Sequence, residues 1–269
     1  MPLAYAEILL KGEPGSKVEL TLLRLRSPEP HKTELTRAVV AVPPVTSRML
    51  ANQIGYLRPH TLVAGKAKEI AGAVSGLERQ GARGLVLDLR QCAVGDSEEG
   101  IAVAGLFLEK GLVTYLAGQK HPRQDFRADA SKAVTKLPLV VVTNRGTADG
   151  AEIAAAALLE NKRAEVVGER TFGDAALRRP INMDDGGAII LSVAKYYSPG
   201  GKAIQDTGVI PSVPFVESEP FVEAEDEEAA PEREVKPEPE KRPEEDNLLK
   251  KAIEVLTKGG VQTAAVSAH

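Results

Sequence analysis

An α/β core with its sheet covered on both faces is the fold this sequence predicts, and three observations predict it. Residues 137–143 are apolar or β-branched apart from one proline, the pattern of a short buried strand. Residues 144–150 then turn the chain, 151–159 read as an alanine-rich buried helix, and 164–168 read as a second strand. Residues 84–90 are largely apolar along their length, as strands at the centre of a doubly covered sheet are. Strand and helix patterns alternate before this unit as well, which argues for one α/β layer structure.

Taken in order, residues 5–10 look like the end of an amphipathic helix closed by the turn 11–15. Residues 18–26 alternate as a strand, 27–30 form a proline-containing turn, and 33–42 supply the partner strand of a hairpin. Few large apolar residues occur here, so this piece is a poor candidate for folding alone. Residues 55–58 form a short strand. Ile70, Val74 and Leu77 stand at helical spacing within 65–80, and Gly81 ends that helix. A loop at 91–95 leads to a helix over 98–110. After the central unit, 188–194 form a strand behind the turn 184–187, and 196–211 read as a loop rich in glycine and proline.

Charge divides the chain. Residues 217–246 hold fourteen acidic and four basic residues, so a segment near −10 sits in a chain of net charge −4. That stretch is Glu/Pro-rich and cannot bury enough surface to offset ordering entropy, so it reads as a disordered linker. Residues 247–258 follow as a capped amphipathic helix. The expected organisation is therefore 1–42, 43–216, 217–246 and 247–258. The remainder is mildly basic without a Lys/Arg stripe, which argues against nucleic acid. No window approaches eighteen uninterrupted apolar residues, so no membrane span is expected, and no basic-then-apolar leader opens the sequence. Cys92 is the lone cysteine, read as a small buried hydrophobe; His31, His60, His121 and His269 lie outside the central motifs.

Four ordered strings carry a resemblance. Residues 84–90 (GLVLDLR), 147–153 (TADGAEI), 167–173 (VGERTFG) and 196–205 (YYSPGGKAIQ) are similar to G-L-V-L-D-L-R, T-A-S-A-S-E-I, V-G-E-x-T-F-G and Y-Y-T-P-x-G-x-x-I-Q of the carboxy-terminal processing, or tail-specific, serine peptidases. The resemblance implies a crotonase- and ClpP-like core, with residues 1–42 as the last part of a PDZ-like domain. It also implies a location outside the cytoplasm, as in a bacterial envelope.

Carried over position by position, the resemblance implies a degenerate site. The family's serine stands at Asp149, its lysine, twenty-five residues on, at Asp174, and the glutamine after that lysine at Arg178. The oxyanion-turn positions are Val94, Gly95 and Gly150, with a β-branched residue where the first glycine belongs. A serine hydroxyl needs a base to remove its proton, and a lysine serves only when desolvated. Neither residue is present. The expected function is a pseudopeptidase that binds a polypeptide segment or regulates an active peptidase relative. The alternatives are a hydrolase using an Asp149/Asp174 acid–base pair and a structural assembly module that forms homo-oligomers. No metal or cofactor is expected, although two close carboxylates could hold a divalent cation weakly. The plainest fate for the pair is neutralisation by Arg178, Arg145 or Arg170.

Overall fold

The structure, a computed structural model, describes residues 9–24, 27–39, 41–183, 187–216 and 246–266, with side chains except at 24, 27 and 28 and beyond Lys258. It divides into two compact units, one ending at Pro43 and one beginning at Pro44. The acidic stretch before Asp246, the turn at 184–186 and most of the helix expected over 5–10 lie outside the described residues.

In the first unit β1 (Lys17–Arg24) pairs antiparallel with β2 (Ser27–Thr36), and Arg24 stands opposite Ser27. The reversal is therefore tighter than expected, and Pro28 and Pro30 lie within a strand. Each strand of a two-stranded ribbon has one free side, where a proline's missing N–H need cost no ladder bond.

The second unit holds β3 (Thr46–Leu50), β4 (Ile54–Arg58), α1 (Lys66–Arg79), β5 (Gly84–Asp88), α2 (Ser97–Gly105), β6 (Leu112–Gly118), β7 (His121–Arg127), β8 (Leu139–Thr143), α3 (Gly150–Glu160), β9 (Glu165–Gly168), β10 (Ala176–Asn182), β11 (Ala188–Tyr197), β12 (Val213–Pro214) and α4 (Asn247–Val266). Six strands form the main sheet in the order β12-β9-β8-β5-β4-β3, parallel except for β3 against β4. An antiparallel sheet, β10-β11-β6-β7, stands beside it. Five of the described strands escape the sequence reading: β3, β6, β7, β10 and β12, which are short or polar on one side. The helix expected over 98–110 stops at Gly105, because the chain must turn into β6.

Side-chain alternation divides each apolar strand between two cores. Leu85, Leu87 and Val141 face α1, α2 and α3, where Ile70, Val74, Val103 and Ile153 complete a buried cluster. Val86, Val140, Val142 and Val167 face the other way, and there Leu248, Leu249, Ala252 and Leu256 of α4 cover them. The apolar side of the C-terminal helix is thus spent on its own sheet. Fully burying a leucine is worth about 1.5–3 kcal/mol, so this seam alone holds the helix firmly.

A chain of charges anchors the start of that helix. Asp88, fully buried at the end of β5, accepts from the Tyr56 hydroxyl at 2.7 Å and from Arg90 Nη2 at 2.7 Å. Arg90 also donates to both oxygens of Asp246, at 2.7 and 3.0 Å. Asp246 in turn accepts from the Leu249 N–H at 2.8 Å, capping α4. Burial alone would push the Asp246 carboxyl up. The Arg90 and Leu249 hydrogen bonds and the charges of Arg90 and Arg58 outweigh it and hold the group below its ordinary value. Its contribution is therefore complete above the ordinary carboxylate range and lost as pH falls through the lowered folded value. Asp246→Ala is expected to cost about 2 kcal/mol at pH 7, one cap plus a partly screened ion pair, and correspondingly less at pH 3. Urea denaturation at the two pH values, followed by circular dichroism, measures both numbers.

Candidate functional site

The turn from β8 into α3 places Asp149 at the helix N-terminus, with φ 50° and ψ −118°. Positive φ at a non-glycine residue costs on the order of 1–3 kcal/mol, and such strand-to-helix elbows aim one side chain into a cleft. The surrounding turn explains how the strain persists. Thr147 Oγ1 donates to the Leu89 carbonyl at 2.9 Å, and the Ala148 N–H donates to the Cys92 carbonyl at 3.1 Å. Gly150 lies against α2 so closely that a Cβ on Gly100 would fall 2.0 Å from the Gly150 carbonyl oxygen. Only glycine at both positions permits that approach.

Glu152, fully buried one turn into α3, ties this elbow to the loop after β9. Its carboxylate accepts from the backbone N–H groups of Asp149 (3.0 Å), Gly173 (2.6 Å) and Asp174 (2.7 Å), and from the Thr171 hydroxyl. Burial pushes its carboxyl up, against the pull of those four donors. The sequence reading passed over Glu152. Its spacing of three after Asp149 is the capping-box signature and could have singled it out.

Asp149 is partly buried, and its Oδ1 accepts from Ser97 Oγ at 2.9 Å. Burial raises its pKa to about 6; the Ser97 hydrogen bond opposes the rise, Asp174 adds to it, Arg178 opposes it and Glu152 adds to it. Tyr196 on β11 shares this environment. Burial raises its hydroxyl pKa against a hydrogen bond with Ser97, and the Asp149 and Glu98 charges add to the rise. Ser97 and Tyr196 reach Asp149 through the topology, and no local spacing announces them.

Asp174 is half-exposed and paired with Arg178, which donates to its carboxylate and, at 3.2 Å, to its carbonyl. Arg178 lies on β10, immediately after a bulge between Leu177 and Arg178. The structure thus brings Asp149, Asp174 and Arg178 into one electrostatic neighbourhood. Arg145 and Arg170 make no ion pair with either aspartate among the described residues. In the turn after Arg90, Val94 is 62% exposed and its carbonyl accepts from Leu62 N–H at 2.8 Å. Gly95 presses on Leu62, where a Cβ would meet the carbonyl oxygen at 2.7 Å, and Gly150 backs onto the Asp96 carbonyl. Cys92 is buried, and burial followed by the Asp88 charge pushes its thiol to about 12, which leaves it unreactive near neutrality. Among the described residues no group of three or more metal-ligating side chains converges, and no helix is long and apolar enough to cross a membrane. A cavity of about 1,030 Å³ lies at the far end of the strands, lined by Pro138, Arg163 and Leu256 among others, remote from Asp149.

A carboxylate with a raised folded pKa adds stability below its unfolded value and loses it as pH rises through the folded one. Asp149 should therefore cost the fold stability as pH rises from about 4 to about 6. After discounting for partial exposure, Asp149→Asn is expected to stabilise by about 1–2 kcal/mol at pH 7.5. Near pH 4 the gain should vanish, and paired denaturation curves at the two pH values measure the difference.

Residues 53–215 match Peptidase family S41. The carboxyl-terminal-processing protease of Synechocystis sp. is 35% identical over 215 residues, covering 78% of this chain and 50% of that protein. The carboxy-terminal processing protease CtpA of Bacillus subtilis is 36% identical over 212 residues, 77% of this chain and 44% of that one. The chain spans about half the length of these relatives. Among solved structures, a photosystem II D1 C-terminal processing protease superposes with a TM-score of 0.63 at 32% identity, over 76% of this chain and 57% of its own. With the four motif strings placed around one elbow and matched by sequence and by fold, the chain belongs to peptidase family S41, as a homologue of the carboxyl-terminal processing proteases.

Proposed function

We propose that this chain is a catalytically inactive member of its family, one that binds polypeptide or modulates an active relative. The observation that carries the reading is the elbow itself. A strained, half-buried position holds an aspartate, and the neighbouring position holds a second aspartate already engaged by Arg178. By the motif resemblance these are the serine and lysine positions. Asp149 has no hydroxyl to activate, and the Asp174 carboxylate is already hydrogen-bonded to the Arg178 guanidinium. The elbow is held by contacts that do not involve the Asp149 side chain, so an extended segment can still lie beside it through backbone hydrogen bonds without being cut. On the same reading, residues 1–42 are the end of a PDZ-like domain and the stretch from 217 up to Asp246, which itself caps α4, is an acidic spacer.

A second reading has one observation in its favour. Asp149 titrates near 6 and sits 2.9 Å from the Ser97 hydroxyl, which would suit an acid–base role at mildly acidic pH. Against it, no hydrogen bond joins the carboxylates of Asp149 and Asp174 among the described residues, so they do not form a proton-sharing dyad.

Incubation of the purified chain with an unstructured polypeptide at pH 5 and pH 7.5, analysed by mass spectrometry, separates the two. No cleavage is expected at either pH, while the polypeptide remains bound. Products that appear at pH 5 and vanish in Asp149→Ala would establish the altered hydrolase instead. Regulation is tested by adding the chain to an active family member, whose cleavage rate should change at stoichiometric ratio.

A further inference from the structure

We infer that the carboxyl end of the main sheet carries a binding site for a small oxyanion, a phosphate or a carboxylate, separate from the Asp149 cleft. The inference stands independently of whether the chain cleaves or binds polypeptide. A cavity of about 420 Å³ opens there, lined among others by Arg58, Arg90, Asn144, Arg145, Glu169 and Asp246. It lies where β4, β5, β8 and β9 end and α4 begins, outside the carboxyl ends of parallel strands, the usual place for a ligand in an open α/β sheet.

Which donors are already used decides what the cavity can hold. Arg90 is committed: Nε and Nη2 serve Asp88, and Nη1 and Nη2 serve Asp246. Asp246 is committed too, with Oδ1 taking Arg90 and Leu249 N–H and Oδ2 taking Arg90. Arg58 is different. Its Nε is shut off from solvent and has no hydrogen-bond partner among the described residues. Leaving a buried donor unpaired costs about 1–3 kcal/mol, more for a charged group, so this guanidinium is short of an acceptor. Arg145 is exposed and makes no ion pair among the described residues.

Asn144 adds a third donor. Its Oδ1 accepts from the N–H groups of Gln91 (3.1 Å) and Gly146 (3.0 Å), which leaves the amide NH₂ as its free end. Among the described residues, two guanidiniums and an amide NH₂ without a hydrogen-bond acceptor therefore stand against one carboxylate without a donor, that of Glu169, although the Arg58 charge also acts on Asp246. Forked N–H donors around a cavity of this size suit a phosphate or carboxylate group. Arg145 lies on the turn between β8 and Asp149, so an anion held there would also brace the elbow from behind.

The test is nuclear magnetic resonance of arginine Nε–Hε groups in the full chain, with inorganic phosphate titrated against chloride at constant ionic strength. A parallel titration uses acetate, so that a phosphate site and a carboxylate site are told apart. The Arg58 signal, assigned with Arg58→Lys, should shift saturably with at least one of the two anions and not with chloride. Arg145→Gln, at an exposed position, should weaken that titration about tenfold, the value of one charge-assisted contact. An Arg58 signal that moves with neither anion, one that moves equally with chloride, or an Arg145→Gln chain that titrates as the parent does would overturn the site.

Discussion

The Glu152 carboxylate is the constraint on which the rest of the site depends. Three backbone N–H groups and one hydroxyl, from the α3 elbow and the loop after β9, meet on two oxygens inside the core. A buried charge is tolerable only when so supplied with donors, and removing it would orphan several N–H groups at once. The Thr171 hydroxyl that donates to it also accepts from the Val209 N–H at 2.7 Å, so the chain leading towards β12 is fastened to the same point. One side chain thus fixes the distance between Asp149 and Asp174 without being either of them.

A second buried charge does the same work at the edge of the sheet facing α4. Burial lowers the pKa of Arg90, but hydrogen bonds and charges from Asp88 and Asp246 raise it further than burial lowers it, so the guanidinium stays charged. Asp88 ends the central strand and Asp246 begins the last helix, and Arg90, 156 residues before Asp246, joins them through one planar fork. Taking two carboxylates and a guanidinium out of water is costly, and leucines could cover the sheet more cheaply. What the charges add is registration: the first turn of α4 can sit in one place only.

Legibility in the sequence followed burial. Strands β5, β8 and β9 and helices α1 and α3 were readable because both faces of each strand, or one whole stripe of each helix, meet apolar neighbours. Strands β6, β7 and β10 were not, because they belong to a sheet with much of one side in water. Their polar residues blur the alternation: His121, Arg123, Gln124 and Asp125 of β7 resemble a loop. The site divided in the same way. Asp149, Asp174 and Arg178 stood out because motif strings surround them, whereas Ser97 and Tyr196 arrive from α2 and β11 through packing. The proposed partners Arg145 and Arg170 were plausible by charge alone, but they leave the β8 and β9 ends on another side, towards the cavities at the carboxyl edge.

These observations separate the geometry of the site from its chemistry. The φ of 50° at Asp149 costs energy, and a chain under no constraint there would relax it. It cannot relax, because its N–H is held by Glu152, its neighbour Gly150 is pressed on Asp96 and Gly100, and Thr147 is bonded to Leu89. None of those contacts involves the Asp149 side chain. A substitution at the tip of the elbow therefore leaves the elbow standing, while the Ser97 hydroxyl supplies the Asp149 carboxylate with a donor of its own. The elbow keeps its shape because the packing that builds it does not pass through the side chain at its tip.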